Sequence, residues 1–147
     1  MNQADQHDEL ITRGVALHEA RKYGEALLVL ERAFAATPDC VAARYNLANT
    51  LHMLGRNAHA VALFKTIVDT DDDVFVAGCP LKEDPTCFKL DTWFMLFVTT
   101  LYDTEDWDLA YPFAQRHLAA RTAESDSLWS DEQIQSQLDE LRLEYDD

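Results

Sequence analysis

The stretch DTDDDVFVAGCPLKEDPTC, residues 69–87, collects the side chains of this chain best suited to chemistry. Asp69, Asp71, Asp72 and Asp73 are hard oxygen donors, while Cys79 and Cys87 are soft sulfur donors. Asp69, Asp71 and Asp73 have the alternate spacing that begins a calcium loop of the helix-loop-helix kind. Such a loop needs glycine at its sixth position and a bidentate glutamate at its twelfth, and here those places hold Val74 and Pro80. A zinc site needs a tetrahedral set of ligands. Cys79 and Cys87 are separated by eight positions without an intervening histidine, and Cys40 lies far upstream. The expectation is that no metal and no other cofactor is held.

Catalytic constellations are equally thin. His7, His18, His52, His59 and His117 are scattered, and none has a cysteine or serine at a spacing that one helix would bring together. With 27 acidic residues, a carboxylate pair at a useful separation arises by chance. No catalytic residue is assigned and the chain is read as a non-enzyme, with His117 expected to be a hydrogen-bonded packing residue.

The composition bounds the fold that must position these groups. A chain of 147 residues with 48% hydrophobic and 27% charged side chains reads as one soluble, folded domain. No apolar run reaches the roughly 18 residues of a membrane span, and MNQADQHDEL lacks the basic-then-apolar order of a signal peptide, so a cytoplasmic location is expected. Three cysteines in such a chain favour free thiols, with a Cys79–Cys87 bridge as the alternative. The net charge of -15 is unevenly placed. Residues 1–67 hold seven acidic and seven basic groups, and residues 68–147 hold twenty against five. That surface repels nucleic acid and anionic membranes and attracts basic segments of protein.

Shifting the chain on itself by 34 positions aligns Gly14 with Ala48, Leu17 with Leu51, Ala26 with Ala60, Leu30 with Phe64 and Ala33 with Ile67. Within each unit the apolar positions recur at helical spacing in two runs, separated by RKYG in the first and LGRN in the second. Each unit therefore predicts a helical hairpin, and the small residues mark where two helices approach closely. Pro38 follows the first hairpin and Asp39 is placed to cap the next.

Gly14, Leu17, Tyr23, Ala26, Leu30, Ala33 and Pro38 together resemble the tetratricopeptide repeat. A second unit keeps Leu47, Ala48, Leu51, Gly55, Ala60 and Phe64, with Asn57 in place of the aromatic and Asp72 in place of the closing proline. A third, with Val98, Leu101, Trp107 and Ala110, lies 50 residues on instead of 34, which measures an insertion of 16. Pro112 falls inside its second helix, which is expected to start late or kink. The resemblance covers about residues 7–124 and implies an all-α, right-handed solenoid: repeat one 7–40, repeat two 41–72, an insertion 73–90 and repeat three 91–124. A capping helix over 130–145 closes the array, its start marked by a Ser130–Gln133 capping box inside a Trp129–Ile134 staple, with Ile134, Leu138, Leu141 and Tyr145 on one apolar stripe. Val74, Phe75, Val76 and Phe88 are expected to tuck against the hairpins, and Pro80 and Pro85 rule out one long helix through the insertion.

The resemblance also implies a groove lined by the first helix of every hairpin. Its residues here are Thr12, Val15 and Glu19, then Tyr45, Asn46, Asn49 and Met53, then Met95, Thr99 and Tyr102. A clamp for a peptide's terminal carboxylate is disfavoured, because Thr12, Thr92 and Leu96 stand where that subgroup needs polar or basic groups. The expected function is a non-catalytic scaffold that binds a peptide segment of a partner protein, basic or mixed in charge, as adaptor, assembly factor or small chaperone. The alternative is a self-associating structural subunit, a homo-oligomer.

Overall fold

The computed structural model describes residues 2–79, 84–121, 127 and 129–145, and among these the secondary structure is entirely helical. Helices α1 (Gln3–Glu19) and α2 (Tyr23–Ala36) form the first hairpin, and α3 (Val41–Met53) and α4 (Asn57–Asp69) the second. A short α5 (Asp72–Gly78) precedes the third hairpin, α6 (Pro85–Thr104) and α7 (Trp107–Ala120), and α8 (Asp131–Tyr145) closes the chain. The first helices stack in order, α3 on α1 and α6 on α3, while α2 packs on α3 and α4 on α6. The insertion therefore does not interrupt the stacking.

The turn inside each hairpin has one construction. Arg21, Gly55 and Glu105 have φ of 63°, 78° and 55°, the left-handed region that ends a helix. They are separated by 34 and 50 residues, the two repeat offsets. In the first two turns the following N–H reaches back to the helix, Lys22 to Leu17 O at 2.8 Å and Arg56 to Leu51 O at 2.9 Å. The next register position also has one role in two chemistries. Tyr23 packs edge-on against His18, at 5.1 Å between ring centroids, whereas Asn57 bonds His52 Nδ1 at 2.7 Å, which is how the second hairpin tolerates a missing aromatic.

Small residues set the spacing as expected. Ala26, Ala60 and Ala110 are fully buried, and a β-carbon on Gly14 would fall 2.5 Å from the Leu30 side chain. The absent proline after the second hairpin is compensated electrostatically. Arg44 donates to Thr66 O and Lys89 to Thr70 O at 2.6 Å, so two cations cover the carbonyl end of α4.

Three details depart from the sequence reading. The described residues of the insertion are largely helical: α5 occupies its start, and α6 begins at Pro85, well before the expected position 91. Pro85 is at the first helical position, where its missing N–H costs nothing, and Asp84 caps Thr86 N at 2.9 Å. Phe75 is buried and Phe88 packs on the core, but Val74 and Val76 face solvent because a helix of seven residues has one inward stripe. Helix α7 also starts on time, with Asp106 accepting from Leu109 N, and runs through Pro112. Pro80 and the end of repeat three, 122–124, lie outside the described residues.

The closing helix forms as its sequence demands. Ser130 N donates to Gln133 Oε1 at 2.8 Å and Gln133 N to Ser130 Oγ at 3.1 Å, the reciprocal pair of a capping box. Ile134, Leu138 and Leu141 are buried against Phe94, Phe97, Val98 and Leu101, and Trp129 packs beside them.

Candidate functional site

Because α1, α3 and α6 lie side by side, side chains at one register position form a ridge across the array. The ridge visible here is His18, His52 and Tyr102, spaced by the two repeat offsets. His18 Nδ1 contacts Thr50 Oγ1 at 3.0 Å, joining α1 to α3. Thr50 has already given its proton to Asn46 O, at 2.9 Å, so the imidazole is the donor. His52 likewise donates through Nδ1 to Asn57 Oδ1, and its ring is tilted against Tyr102, 5.5 Å between centroids, joining α3 to α6. In the neutral form both histidines are left with Nε2 as an acceptor. Burial pulls His18 below its ordinary value of 6.5, against the opposing charge of Glu19.

Around this ridge the expected groove residues divide into two groups. Thr12 and Glu19 are exposed, Val15, Asn46 and Asn49 are half-buried, and Met53 and Tyr102 are 46% and 52% exposed. Asn46 spends its amide on Ala42 O of its own helix, at 2.8 Å. Asn49, Met53, His52 and Tyr102 therefore make one accessible face with both apolar surface and hydrogen-bonding groups, with Val15, His18 and Glu19 beside them.

Tyr45, Met95 and Thr99 do not belong to that face, which corrects the sequence expectation. Tyr45 is 4% exposed, its ring edge-on to Phe64 at 5.8 Å and to Phe88 at 5.5 Å. Phe88 comes from the turns that the insertion adds to the start of α6, so the insertion itself closes the groove over Tyr45. Burial, with the charge of Asp91, pushes the phenol well above its usual range. Met95 and Thr99 are buried because α6 is the central helix, in contact with α3, α4, α5 and α7. Thr92 and Leu96, at the clamp positions, are fully buried too.

His117 is a packing residue. It is fully buried, Nδ1 bonds Leu90 O at 2.8 Å and Nε2 faces Arg121 Nη1 at 3.1 Å. A carbonyl on one nitrogen and a guanidinium on the other fix the neutral Nδ1–H tautomer. Burial lowers its pKa. Arg121 also bonds Asp131 and Trp129 O, fastening α7 to the start of α8. Among the described residues no group of three or more His, Cys, Asp or Glu is placed to hold a metal ion, and no helix is long and apolar enough to cross a membrane.

Sequence reasoning assigned the groove from one stripe per helix and passed over His18 and His52, treating the histidines as scattered. The signal was available, since 18, 52 and 102 differ by the same 34 and 50 that align the repeats. Comparison with known proteins gives a match of residues 17–75 to the family model described as tetratricopeptide repeat. No curated protein and no solved structure matches the chain significantly.

Proposed function

From the premise that the chain is a tetratricopeptide repeat protein, we propose that it is a non-catalytic scaffold that binds a peptide segment of a partner protein. Repeats of this family generally mediate protein–protein interaction and are typically non-catalytic. The observation that supports the reading is the in-register face of His18, His52 and Tyr102 flanked by Asn49 and the exposed Met53. It offers adaptable apolar area beside acceptors and amides suited to a peptide backbone. The acidic excess of residues 68–147 suits a basic or mixed segment. Adaptor, assembly factor and small chaperone in the cytoplasm are the roles compatible with such a face.

The test is selection of a random peptide library on the intact chain. Isolated peptides should bind the parent and lose at least tenfold in affinity with the Met53→Ala, Tyr102→Ala variant, both sites being exposed enough to leave the fold intact. Affinity should also fall between low and high salt. Peptides that bind parent and variant equally would place recognition elsewhere.

Self-association is the second reading, and the open first hairpin favours it. Leu28 is 65% exposed there, beside a hollow lined by Arg13, Leu17 and Arg32, whereas α8 covers the other end. A molecular mass in solution that rises with concentration, and that Leu28→Glu returns to the monomer value, is the result this reading requires.

A further inference from the structure

We propose that Cys40 and Cys79 form a thiol pair that a low-molecular-weight disulfide converts to an intramolecular disulfide, stapling the inserted helix α5 to the junction of the first two hairpins. The two sulfurs are 39 positions apart in the chain and 3.0 Å apart in space. Both residues are buried and neither is in a disulfide. Cys40 is the residue before α3 and Cys79 the residue after α5. The two segments approach closely at this place, since a β-carbon added to Gly78 would overlap the side chain of Asp39. Closing the sulfurs to bonding distance takes a movement of about 1 Å.

The surroundings explain why the site is held ready and protected. Phe75 is clasped between the guanidinium of Arg44, 5.1 Å from the ring centroid, and the ammonium of Lys89, 5.8 Å away, which docks α5 and brings Cys79 onto Cys40. Burial, reinforced by the bond to Cys79, pushes the Cys40 thiol up to about 12, so docked Cys40 is protonated and unreactive. Reaction requires the end of α5 to lift. A thiolate of the pair then attacks the small disulfide, forms a mixed disulfide and expels one small thiolate. On redocking, the second sulfur attacks the protein-side sulfur of the mixed disulfide and expels the other. The two protons of the protein thiols pass to the two released small thiolates, so one disulfide is reduced as one is formed. Cys87, whose thiol points to Asp84 at 3.8 Å, is not part of the pair.

The experiment exposes the folded Cys87→Ser protein to oxidised glutathione, quenches by alkylation and maps the peptides by mass spectrometry without reduction. The expected product links the peptide of Cys40 to that of Cys79, with the loss of two hydrogens and no retained glutathione. The oxidised protein should melt several degrees higher than the reduced one. Retained glutathione adducts, two alkylatable thiols after prolonged treatment, or a linkage that forms only in urea would each overturn the proposal. A linked protein that melts no higher than the reduced one would overturn the staple.

Discussion

Replacing Gly14 by alanine sets two effects of opposite sign against each other. Gly14 is in the interior of α1, where alanine is favoured over glycine by about 1 kcal/mol. The added carbon would stand 2.5 Å from Cδ2 and 2.6 Å from Cγ of Leu30, more than 1 Å inside a normal carbon contact. Leu30 is fully buried, so its branched end has nowhere to retreat, and overpacking of this kind costs about 1–3 kcal/mol. The net expectation is a destabilisation of up to about 2 kcal/mol, in spite of the better helix former. Leu30→Ala alone should cost about 2–5 kcal/mol through the cavity it leaves. In that background the obstacle is gone, and Gly14→Ala should stabilise by about 1 kcal/mol. The two substitutions are therefore coupled by about 1–3 kcal/mol, above the few tenths expected of independent sites. Urea unfolding of the four proteins, followed by far-ultraviolet circular dichroism at a common slope, measures the cycle. An effect of the same sign in both backgrounds would falsify the argument, because Leu30 would then not be what excludes a side chain at position 14.

Two further outcomes follow from local geometry. Arg21 and Glu105 hold a left-handed conformation that costs an ordinary residue about 1–2 kcal/mol, so glycine at either place should raise stability by up to about 1 kcal/mol after its own entropy cost. Gly55→Ala, at the same register and with open space around it, should lower stability by about 1 kcal/mol; a neutral or stabilising result sinks the shared-turn reasoning. For acid sensitivity, burial lowers the pKa of His7, His18 and His117 below 6.5. The unfolded chain therefore takes up more protons as pH falls past that value, and the stability these groups confer is complete above pH 6.5 and declines below it. The approach of Arg121 to His117 acts in the same direction, while the hydrogen bond to the Leu90 carbonyl and the charges of Asp91 and Asp131 oppose it. His117→Gln should reduce stability throughout and also flatten its slope between pH 5 and 7 by up to about 1.4 kcal/mol per pH unit. Parent and variant with equal slopes would exclude His117 as a contributor.

The fold was legible because a period of 34 is a property of the chain and survives any local departure from pattern. The offsets of 34 and 50 predicted from apolar residues are the same that relate the left-handed turn residues, the ridge of His18, His52 and Tyr102, and the buried Ala26, Ala60 and Ala110. The capping box was legible for a different reason, being a bond pattern contained within four residues. The site was legible only in part, since exposure is decided by what covers a stripe and not by the stripe. Asn49, Met53 and Tyr102 stay open, but Tyr45 is closed over by Phe88, a residue of the insertion, and no periodicity relates the two. The approach of Cys79 to Cys40 has the same origin, a docking of α5 that depends on cations from α3 and α6.

The third hairpin shows how a repeat leaves its consensus and keeps its packing. At the position of Gly14 the later repeats carry Ala48 and Val98, and at the position of Leu30 they carry Phe64 and Ala114, all buried. In the first two hairpins the small residue is on the first helix and the large one on the second; in the third the order is reversed. A filled interface requires the pair to sum to a workable volume, and it is indifferent to which helix supplies the bulk. Matching residue by residue sees Val98 and Ala114 as two mismatches, whereas matching the pair sees one exchange. The same logic covers Asn57, which replaces an aromatic contact to the preceding histidine with a hydrogen bond to it. What the repeat specifies is thus the contact between two register positions, and the identity at either one is free to change when its partner changes with it.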